Sequence, residues 1–282
     1  MKRLIVTADD FGASLAVNEA VERAHRGGIL TAASLMVTGD AADDAIARAR
    51  AMPALGVGLH LVLVEGRPML PPEQVPGLID AAGRFRNDMI GSAIAMTLRP
   101  HVRRQLYAEV EAQFAAFAAT GLPLDHVNAH KHFHLHPVIA SAMLAAGGRY
   151  GMKAVRAPVE PRALLAAIEP EATPRRDPAA FWARLTQRRL RRAGMVVPDQ
   201  VFGLAWTGQM NARRIRALIA ALPDGVSEIY THPATSNAWP GHAPGYDYAG
   251  ELAALIDPEV IAEARARVTL APFAALPVRG QA

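Results

Sequence analysis

The chain has 282 residues, of which 51% are hydrophobic and 20% charged, a balance that favours a buried globular core over disorder. It contains no cysteine, which excludes disulfides and thiolate metal sites and agrees with a reducing compartment. The net charge of +4 is modest and few aromatic residues accompany the arginines, so nucleic acid is not an expected partner.

The N-terminus does not have the pattern of a secretory signal peptide. The basic residues Lys2 and Arg3 are followed by only three apolar residues, 4–6, before a threonine and two aspartates. No apolar stretch approaches the roughly 20 residues that a membrane-spanning helix needs. These features predict a cytoplasmic protein.

Apolar runs and helical periodicities alternate along the first half of the chain. Strands are predicted at 4–7, 31–37, 56–64 and 124–129. Helices are predicted from an N-cap at Ser14 to Gly27, over 41–52 and 102–120, and from 138 onward, with a proline-rich loop at 67–76.

The second half adds predicted strands at 153–157, 201–204 and 227–231. Seven or eight strands that alternate with helices favour an α/β fold, an irregular or incomplete (β/α) TIM-like barrel, over an open sheet. Residues 159–198 break this rhythm with several prolines. They are interpreted as a lid or insertion over the mouth of a single domain that spans residues 1–282.

Two aspartates end the first predicted strand. Asp9 and Asp10 are followed by Phe11 and Gly12, where a turn can bring both carboxylates to one site although neighbours on a strand point to opposite faces. One carboxylate can then bind a metal while the other accepts a proton from water. The alternative is a solvated loop pair.

Five of the ten histidines lie within eleven residues, at positions 126, 130, 132, 134 and 136. Imidazole is the commonest protein ligand for transition metals, and this density favours a functional cluster. A bend is expected here, so that not all five reach one ion. His60 lies inside an apolar strand. Considered by itself, it is more typical of a core histidine with its hydrogen bonds satisfied than of a metal ligand.

A carboxylate and two imidazoles from three segments suit one catalytic divalent metal ion. This ligand set fits zinc, iron, cobalt or nickel better than calcium or magnesium, and zinc is favoured. Hydrolysis of an amide also needs a base and an acid. Asp9 is the candidate base and His232 the candidate acid, with Glu228 and Thr231 as residues that could orient His232.

Five motifs occur in an order found in one known family. They are Thr-Ala-Asp-Asp-Phe-Gly at 7–12, Gly-Leu-His-Leu at 58–61, the histidine block at 126–136, Val-Arg-Ala-Pro at 155–158 and the segment 228–233. On these motifs the chain resembles the YdjC-like carbohydrate deacetylases. The resemblance spans most of the chain and is weakest over 160–200 and after 240.

The resemblance implies a role for each matching residue. It implies metal ligands Asp10, His60 and His130, a base at Asp9, an acid at His232 and an arginine, Arg156, that holds Asp9 ionised. It also implies an incomplete or irregular (β/α) barrel. Family members are often described with magnesium, so magnesium stays open beside zinc. Two positions depart from the family pattern, Lys131 where many relatives have histidine and Ala234 where glycine is usual.

The amino-acid sequence of residues 64–68 and 126–137 is most similar to that of a hopanoid-biosynthesis-associated branch of the family. That similarity implies removal of an N-acetyl group from an N-acetylglucosaminyl hopanoid, a glycolipid. A soluble chito-oligosaccharide substrate and a metal-binding protein without turnover stay open as alternatives, as does a homo-oligomer. A lipid substrate implies peripheral contact with the inner face of the membrane, for which the basic segment 184–192 beside Phe181 and Trp182 is a candidate.

Overall fold

A computed structural model describes residues 1–173 and 179–276 of the chain. Its strands are β1 (Lys2–Phe11), β2 (Ala32–Leu35), β3 (Gly56–Leu61), β4 (Val127–Ala129), β5 (Gln200–Phe202), β6 (Gly225–Thr231) and β7 (Thr269–Leu270). Its α-helices are α1 (Leu15–Gly27), α2 (Ala42–Arg50), α3 (Met89–Leu98), α4 (Pro100–Ala119), α5 (Pro137–Arg149), α6 (Arg162–Ile168), α7 (Ala180–Arg192), α8 (Ala212–Ala221), α9 (Tyr248–Leu255) and α10 (Pro258–Arg267). Short 3-10 helices occupy Pro72–Gln74, His130–Leu135 and Phe273–Ala275.

The strands form one parallel sheet in the order β4-β3-β2-β1-β6-β5, with β7 beside the first half of β1. The central strand β1 is fully buried at Leu4, Ile5 and Val6. This is expected of a parallel strand that is buried on both faces, and it explains why β1 has a continuous apolar run. Because all strands run the same way, their carboxyl ends meet at one edge.

The sheet curls, and irregular backbone contacts connect its two ends. Val127 of β4 bridges to Val155, Ala154 bridges to Val196, and the Val201 N–H of β5 donates to the Val159 carbonyl at 3.0 Å. The result is the incomplete (β/α) barrel that the alternation of elements predicts. The strand predicted at 153–157 is present only as these isolated bridges, because Pro158 has no N–H with which to continue a ladder.

Helix α1 follows the sequence prediction closely. The Ser14 side chain accepts a hydrogen bond from the Val17 N–H at 3.2 Å and so caps the helix, which ends at Gly27. The predicted apolar face is the buried one, formed by Val17, Ala20, Val21 and Ala24.

Helix α3 was not expected. No element is predicted for residues 89–98, because apolar and small residues occur on all sides and give no helical periodicity. Asp88 caps the helix by accepting a hydrogen bond from the Gly91 N–H at 2.9 Å. Ile90, Ile94 and Leu98 on this helix are exposed.

The segment 159–198 contains α6 and α7, and its residues 174–178 lie outside the described part. Helix α7 packs against the body of the protein, where the Arg189 side chain donates to the Pro137 carbonyl and to the Ser141 hydroxyl of α5. The role of this segment as a lid remains a prediction. Among the described residues, no helix has both the length and the apolar character to cross a bilayer.

Candidate metal centre

The two aspartates at the end of β1 reach the same site because the strand is irregular there. Asp10 has a φ of +62°, and the register between β1 and β2 shifts between Ala8 and Phe11. A non-glycine residue in this region costs about 1–3 kcal/mol and is commonly kept at functional sites. Gly12 (φ +96°) completes the turn, and its N–H donates to the Asn18 side chain at 2.8 Å.

Asp10, His60 and His130 come together at the carboxyl edge of the sheet. One ligand atom from each lies within 4.8 Å of the others, the only such group of three among the described residues. Asp10 Oδ1 is 3.3 Å from His60 Nε2 and 3.1 Å from His130 Nδ1. The buried His60 Nε2 has no hydrogen-bond partner within residues 1–173 and 179–276. A carboxylate and two imidazoles around such an atom fit a divalent cation.

Asn128, on β4, determines which nitrogen of His60 faces this group. Its Oδ1 lies 2.6 Å from His60 Nδ1, and its Nδ2 donates to Asp9 Oδ1 at 3.0 Å and to Ser34 Oγ at 2.9 Å. An amide oxygen can only accept, so His60 Nδ1 carries the proton and Nε2 keeps its lone pair for a metal.

A buried ion-pair network lies beside the metal group. Arg156 is fully buried and donates to Asp9 Oδ2 at 2.5 Å and to Asp9 Oδ1 at 3.0 Å. It also donates to Glu228 Oε1, at 2.9 Å from Nε and 2.7 Å from Nη2. Thr7 adds a hydroxyl bond of 2.8 Å to the same Glu228 oxygen. One guanidinium thus bridges two buried carboxylates.

The charge of Arg156 decides the ionisation of Asp9. Burial by itself raises the pKa of Asp9, but the Arg156 charge and hydrogen bonds outweigh it and hold this pKa well below the ordinary value. Asp9 is therefore ionised at neutral pH. Tyr230 covers the pair, with its ring centroid 4.5 Å from Arg156 Cζ.

The histidine cluster divides among several roles. The chain leaves the strand at Ala129 and forms a 3-10 turn in which Lys131 and His132 have positive φ, so the expected bend is present. His130 alone joins the metal group. His132 Nε2 lies 3.0 Å from the Tyr230 hydroxyl, and His134 Nε2 lies 2.8 Å from the Arg156 carbonyl.

The other two histidines of the cluster lie away from the metal group. His126 Nε2 is 2.9 Å from Ser34 Oγ and its Nδ1 is 2.9 Å from Asp125, so it supports Ser34 and, through it, Asn128. Its ring fills the space beside Gly58, where a Cβ atom would lie 2.5 Å from it. The absence of a side chain at Gly58 thus leaves room for His126. His136 Nε2 lies 3.2 Å from the Thr97 hydroxyl.

His232 faces the same cavity but is not oriented as expected. Glu228 is engaged by Arg156 and Thr7, and the Thr231 hydroxyl donates to the Thr7 carbonyl at 3.2 Å, so neither residue holds the His232 ring. Instead the backbone N–H of His232 donates to the buried Glu251. Its ring makes edge contacts with Tyr230 and Tyr246, at centroid distances of 5.7 and 5.2 Å.

The metal group opens into a cavity of about 750 Å³. Asp9, Asp10, His60, His130 and His232 all line it, as do the aromatic residues Phe85, Tyr230, Tyr246 and Tyr248. Such a volume is in the range of small-molecule sites. The cavity brings the candidate base, acid and metal ligands together around one space.

Comparison with known proteins agrees with this geometry. The model of the YdjC family, described as YdjC-like protein, matches residues 3–265. The chain belongs to the YdjC-like family.

Relatives of this YdjC-like protein carry deacetylase names. A carbohydrate deacetylase from Geobacillus stearothermophilus is 31% identical over 92% of this chain and 91% of its own length. One from Brevibacillus brevis is 41% identical over 52% of this chain and 56% of its own, and a chitooligosaccharide deacetylase from Serratia marcescens is 35% identical over 49% and 53%. A crystal structure from Enterococcus faecalis, named for a proposed cleavage of cellobiose phosphate, matches with 26% identity and a TM-score of 0.72 over 96% of this chain and 97% of that one.

Sequence reasoning missed several residues of this YdjC-like site. Asn128 stands inside the histidine block, and an amide between metal-ligating histidines is a signal that could have identified it. Glu65 lies in the segment 64–68 but was given no role; it is 3.7 Å from His130 Nε2, and the interaction with His130 and the charge of Lys131 hold its pKa at about 2. Glu251 is far from the motifs in sequence.

Replacing Asn128 with leucine is expected to lower metal affinity about 10–100-fold, because His60 loses the acceptor that fixes its tautomer. Competition with a chromogenic chelator measures this change. Ser34→Ala is the matched control, since it keeps both direct Asn128 bonds to His60 and Asp9 and should have the smaller effect. Equal affinity of the Asn128→Leu and native proteins would contradict the role given to this amide.

Proposed function

We propose that this protein is a divalent-metal-dependent hydrolase that removes the N-acetyl group from an N-acetylglucosaminyl hopanoid glycolipid. One observation carries the hydrolytic part: an ionised carboxylate, Asp9, held beside an Asp-His-His group in one cavity. The family and the names of its relatives support a carbohydrate deacetylase. The similarity of 64–68 and 126–137 to the hopanoid-associated branch supports the lipid.

Asp10, His60 and His130 would hold the metal, for which zinc is favoured by the two imidazole ligands and magnesium is the alternative. When bound, such an ion lowers the pKa of water to about 7 and polarises a carbonyl oxygen. Asn128 keeps His60 in the tautomer that can ligate, and Asp10 supplies the negative charge of the set.

Asp9 acts as the base that orients water and accepts its proton. Arg156 keeps this carboxylate ionised and fixes its direction, which leaves Asp9 a weak base, so a cation held by Asp10, His60 and His130 would have to supply the acidification of the water. His232 acts as the acid that protonates the leaving amine. Tyr230 and Tyr246, at the edges of its ring, hold the imidazole toward the cavity.

The aromatic side of the cavity suits the apolar face of an N-acetylated sugar ring. Tyr246 and Tyr248 lie there with ring centroids 5.5 Å apart. A soluble chito-oligosaccharide is the second candidate substrate, and the similarity to the enzyme from Serratia marcescens favours it. With the lipid substrate, the protein is cytoplasmic with peripheral contact at the inner face of the membrane.

The substrate assay uses metal-reconstituted protein with an N-acetylglucosaminyl hopanoid and, separately, with N-acetylchitobiose. Mass spectrometry follows loss of the acetyl group. Turnover of the lipid alone is the expected result. Turnover of the sugar alone would keep the chemistry and reject the hopanoid, while no turnover of either by metal-loaded protein would reject the deacetylase assignment for both.

Asp9→Asn is expected to reduce kcat by about 10²–10⁴-fold, because the proton of water loses its acceptor. Metal content, measured by mass spectrometry of the purified variant, should stay at the native level, since Asp9 is outside the ligand group. Asp43→Asn on the exposed face of α2 is the matched control. A protein that only stores or senses a metal would have no turnover to lose, and native turnover in Asp9→Asn would reject the base.

A further inference from the structure

Helix α3 presents an unpartnered apolar face. Ile90, Ile94 and Leu98 are 76%, 54% and 73% exposed and follow a spacing of four residues, which places them on one side of the helix. Thr97 is exposed on the same side. No charged residue occurs between Met89 and Leu98. A monomeric protein seldom exposes such a row of large aliphatic side chains without a use for it.

Helix α7 presents a second exposed face of mixed apolar and basic character. Phe181, Trp182 and Leu185 are between 45% and 68% exposed, although the opposite face of the helix, with Ala183 and Leu190, is buried. Arg184 and Arg188 are exposed among the apolar residues, and neither makes a salt bridge within the described part of the chain. The helix contains no acidic residue from Ala180 to Arg192.

A shallow apolar groove joins the two helices. It measures about 490 Å³ and has Thr97 of α3 on one wall, Trp182 of α7 on another, and Pro137 and Val138 of α5 between them. Because Thr97 belongs to the exposed side of α3, the faces of α3 and α7 form one continuous surface. We call this surface, with Ile90, Ile94, Leu98, Phe181, Trp182, Leu185, Arg184 and Arg188, the two-helix face.

The two-helix face begins at the rim of the metal-centre cavity. Asn87, two residues before α3, lines that cavity together with Arg84 and Phe85. At the other end of the face, the groove is lined by His136. This residue is the last histidine of the cluster that also contributes His130 to the metal group. A flat surface in contact with the two-helix face would therefore lie beside the opening of the cavity.

We propose that the two-helix face is a docking surface for an anionic lipid bilayer. Aliphatic and aromatic side chains with interspersed arginines and no acidic residue match the apolar and negatively charged layers of such a membrane. This inference rests on the proposed function for the nature of the substrate: docking at this face places the cavity next to a sugar carried by a lipid. A second copy of the chain would cover the apolar residues but leave the arginines facing one another.

Co-sedimentation with vesicles tests the surface directly. The native protein should bind vesicles of three parts phosphatidylcholine to one part phosphatidylglycerol, bind pure phosphatidylcholine far less, and release as salt is raised. Arg184→Gln with Arg188→Gln should weaken binding about 25-fold, since each arginine near an anionic surface contributes about a fivefold factor. Ile94→Ser with Leu98→Ser should weaken it at least about tenfold.

Two control variants lie at the opposite end of the sheet. Ile256 directly follows α9, and the Leu255 carbonyl of this helix accepts from the Ile29 N–H, just before β2 begins. Arg265 lies shortly before β7, which pairs with the first residues of β1. Ile256→Ser and Arg265→Gln should bind as the native protein does. Equal loss in these variants, or no binding of native protein to anionic vesicles, would overturn the proposal.

Turnover of a short water-soluble N-acetylglucosaminide, without vesicles, separates this inference from the proposed function. The variants of the two-helix face should keep native turnover, because none of their residues lines the cavity. Active protein that fails to bind vesicles would overturn the docking surface alone. A native dimer that becomes monomeric on Ile94→Ser with Leu98→Ser, in sedimentation velocity, would assign the face to a second copy and overturn the proposal.

Discussion

Replacing Arg156 with methionine is expected to lower the free energy of unfolding by about 3–5 kcal/mol at pH 7. Arg156 is 0% exposed and its Nη2 donates to both Asp9 and Glu228. Methionine fills a similar volume but leaves two buried carboxylates side by side without a counter-charge. Urea denaturation at pH 7 measures the loss, and it corresponds to a melting temperature lower by about 10 °C in a protein of this size.

The pH dependence of this loss follows from the direction of the pKa shifts. In the native protein the pKa of Asp9 lies below its unfolded value, so its contribution to stability is complete at pH 7 and is lost only as the pH falls through the folded pKa. Without Arg156, burial raises the pKa of the Asp9 carboxyl, and the penalty for its buried charge is relieved as a proton binds. The difference in the free energy of unfolding between the native protein and the variant should therefore become smaller as the pH falls from 7 to 5.

Two further variants make the interpretation specific. Adding Glu228→Gln to the Arg156→Met background should restore part of the lost stability, since one buried charge is removed. Arg216→Met is the surface control: Arg216 pairs with Glu259 in an exposed salt bridge, and its loss should cost at most about 1 kcal/mol. A similarly small cost for Arg156→Met would show that no buried ion-pair network is present.

The parts of the fold that depend on local sequence could be predicted. Helix α1 has a capping serine, one apolar face and a terminal glycine, so its start, end and buried residues can all be predicted from residues 14–27. Helix α3 has a capping residue, Asp88, but its apolar residues surround the helix and give no periodicity, and only the structure shows that one side stays exposed. Residues 153–157 have strand composition, but Pro158 limits them to isolated bridges.

The candidate site was predictable where its residues follow strands. Asp10 ends β1, His60 lies near the end of β3 and His130 follows β4, and parallel strands bring these ends to one edge. The hydrogen bonds that organise the site were not predictable in the same way. Asn128 of β4 and Ser34 of β2 meet across 94 residues of chain and across the intervening strand β3, and that contact depends on the sheet order rather than on spacing in a motif.

His130→Ala is expected to abolish metal binding and turnover together. His130 is the one member of the histidine cluster in the metal group of the described residues, so its loss leaves only Asp10 and His60 as ligands. The fall in metal affinity should exceed the roughly 10–100-fold expected for Asn128→Leu, which alters a ligand only indirectly. Metal content after gel filtration measures binding independently of activity, and turnover should decrease by more than about 10³-fold.

His132→Ala is the matched control within the same turn. His132 also lines the cavity, but its Nε2 is in hydrogen-bond contact with the Tyr230 hydroxyl. Burial and the charge of Arg156 keep the pKa of His132 well below the ordinary value. This variant should retain a full complement of metal. If His130→Ala kept its metal and His132→Ala lost it, the metal ligand would be His132 and not His130. Loss in both would mean that the 3-10 turn itself, rather than one imidazole, forms the site.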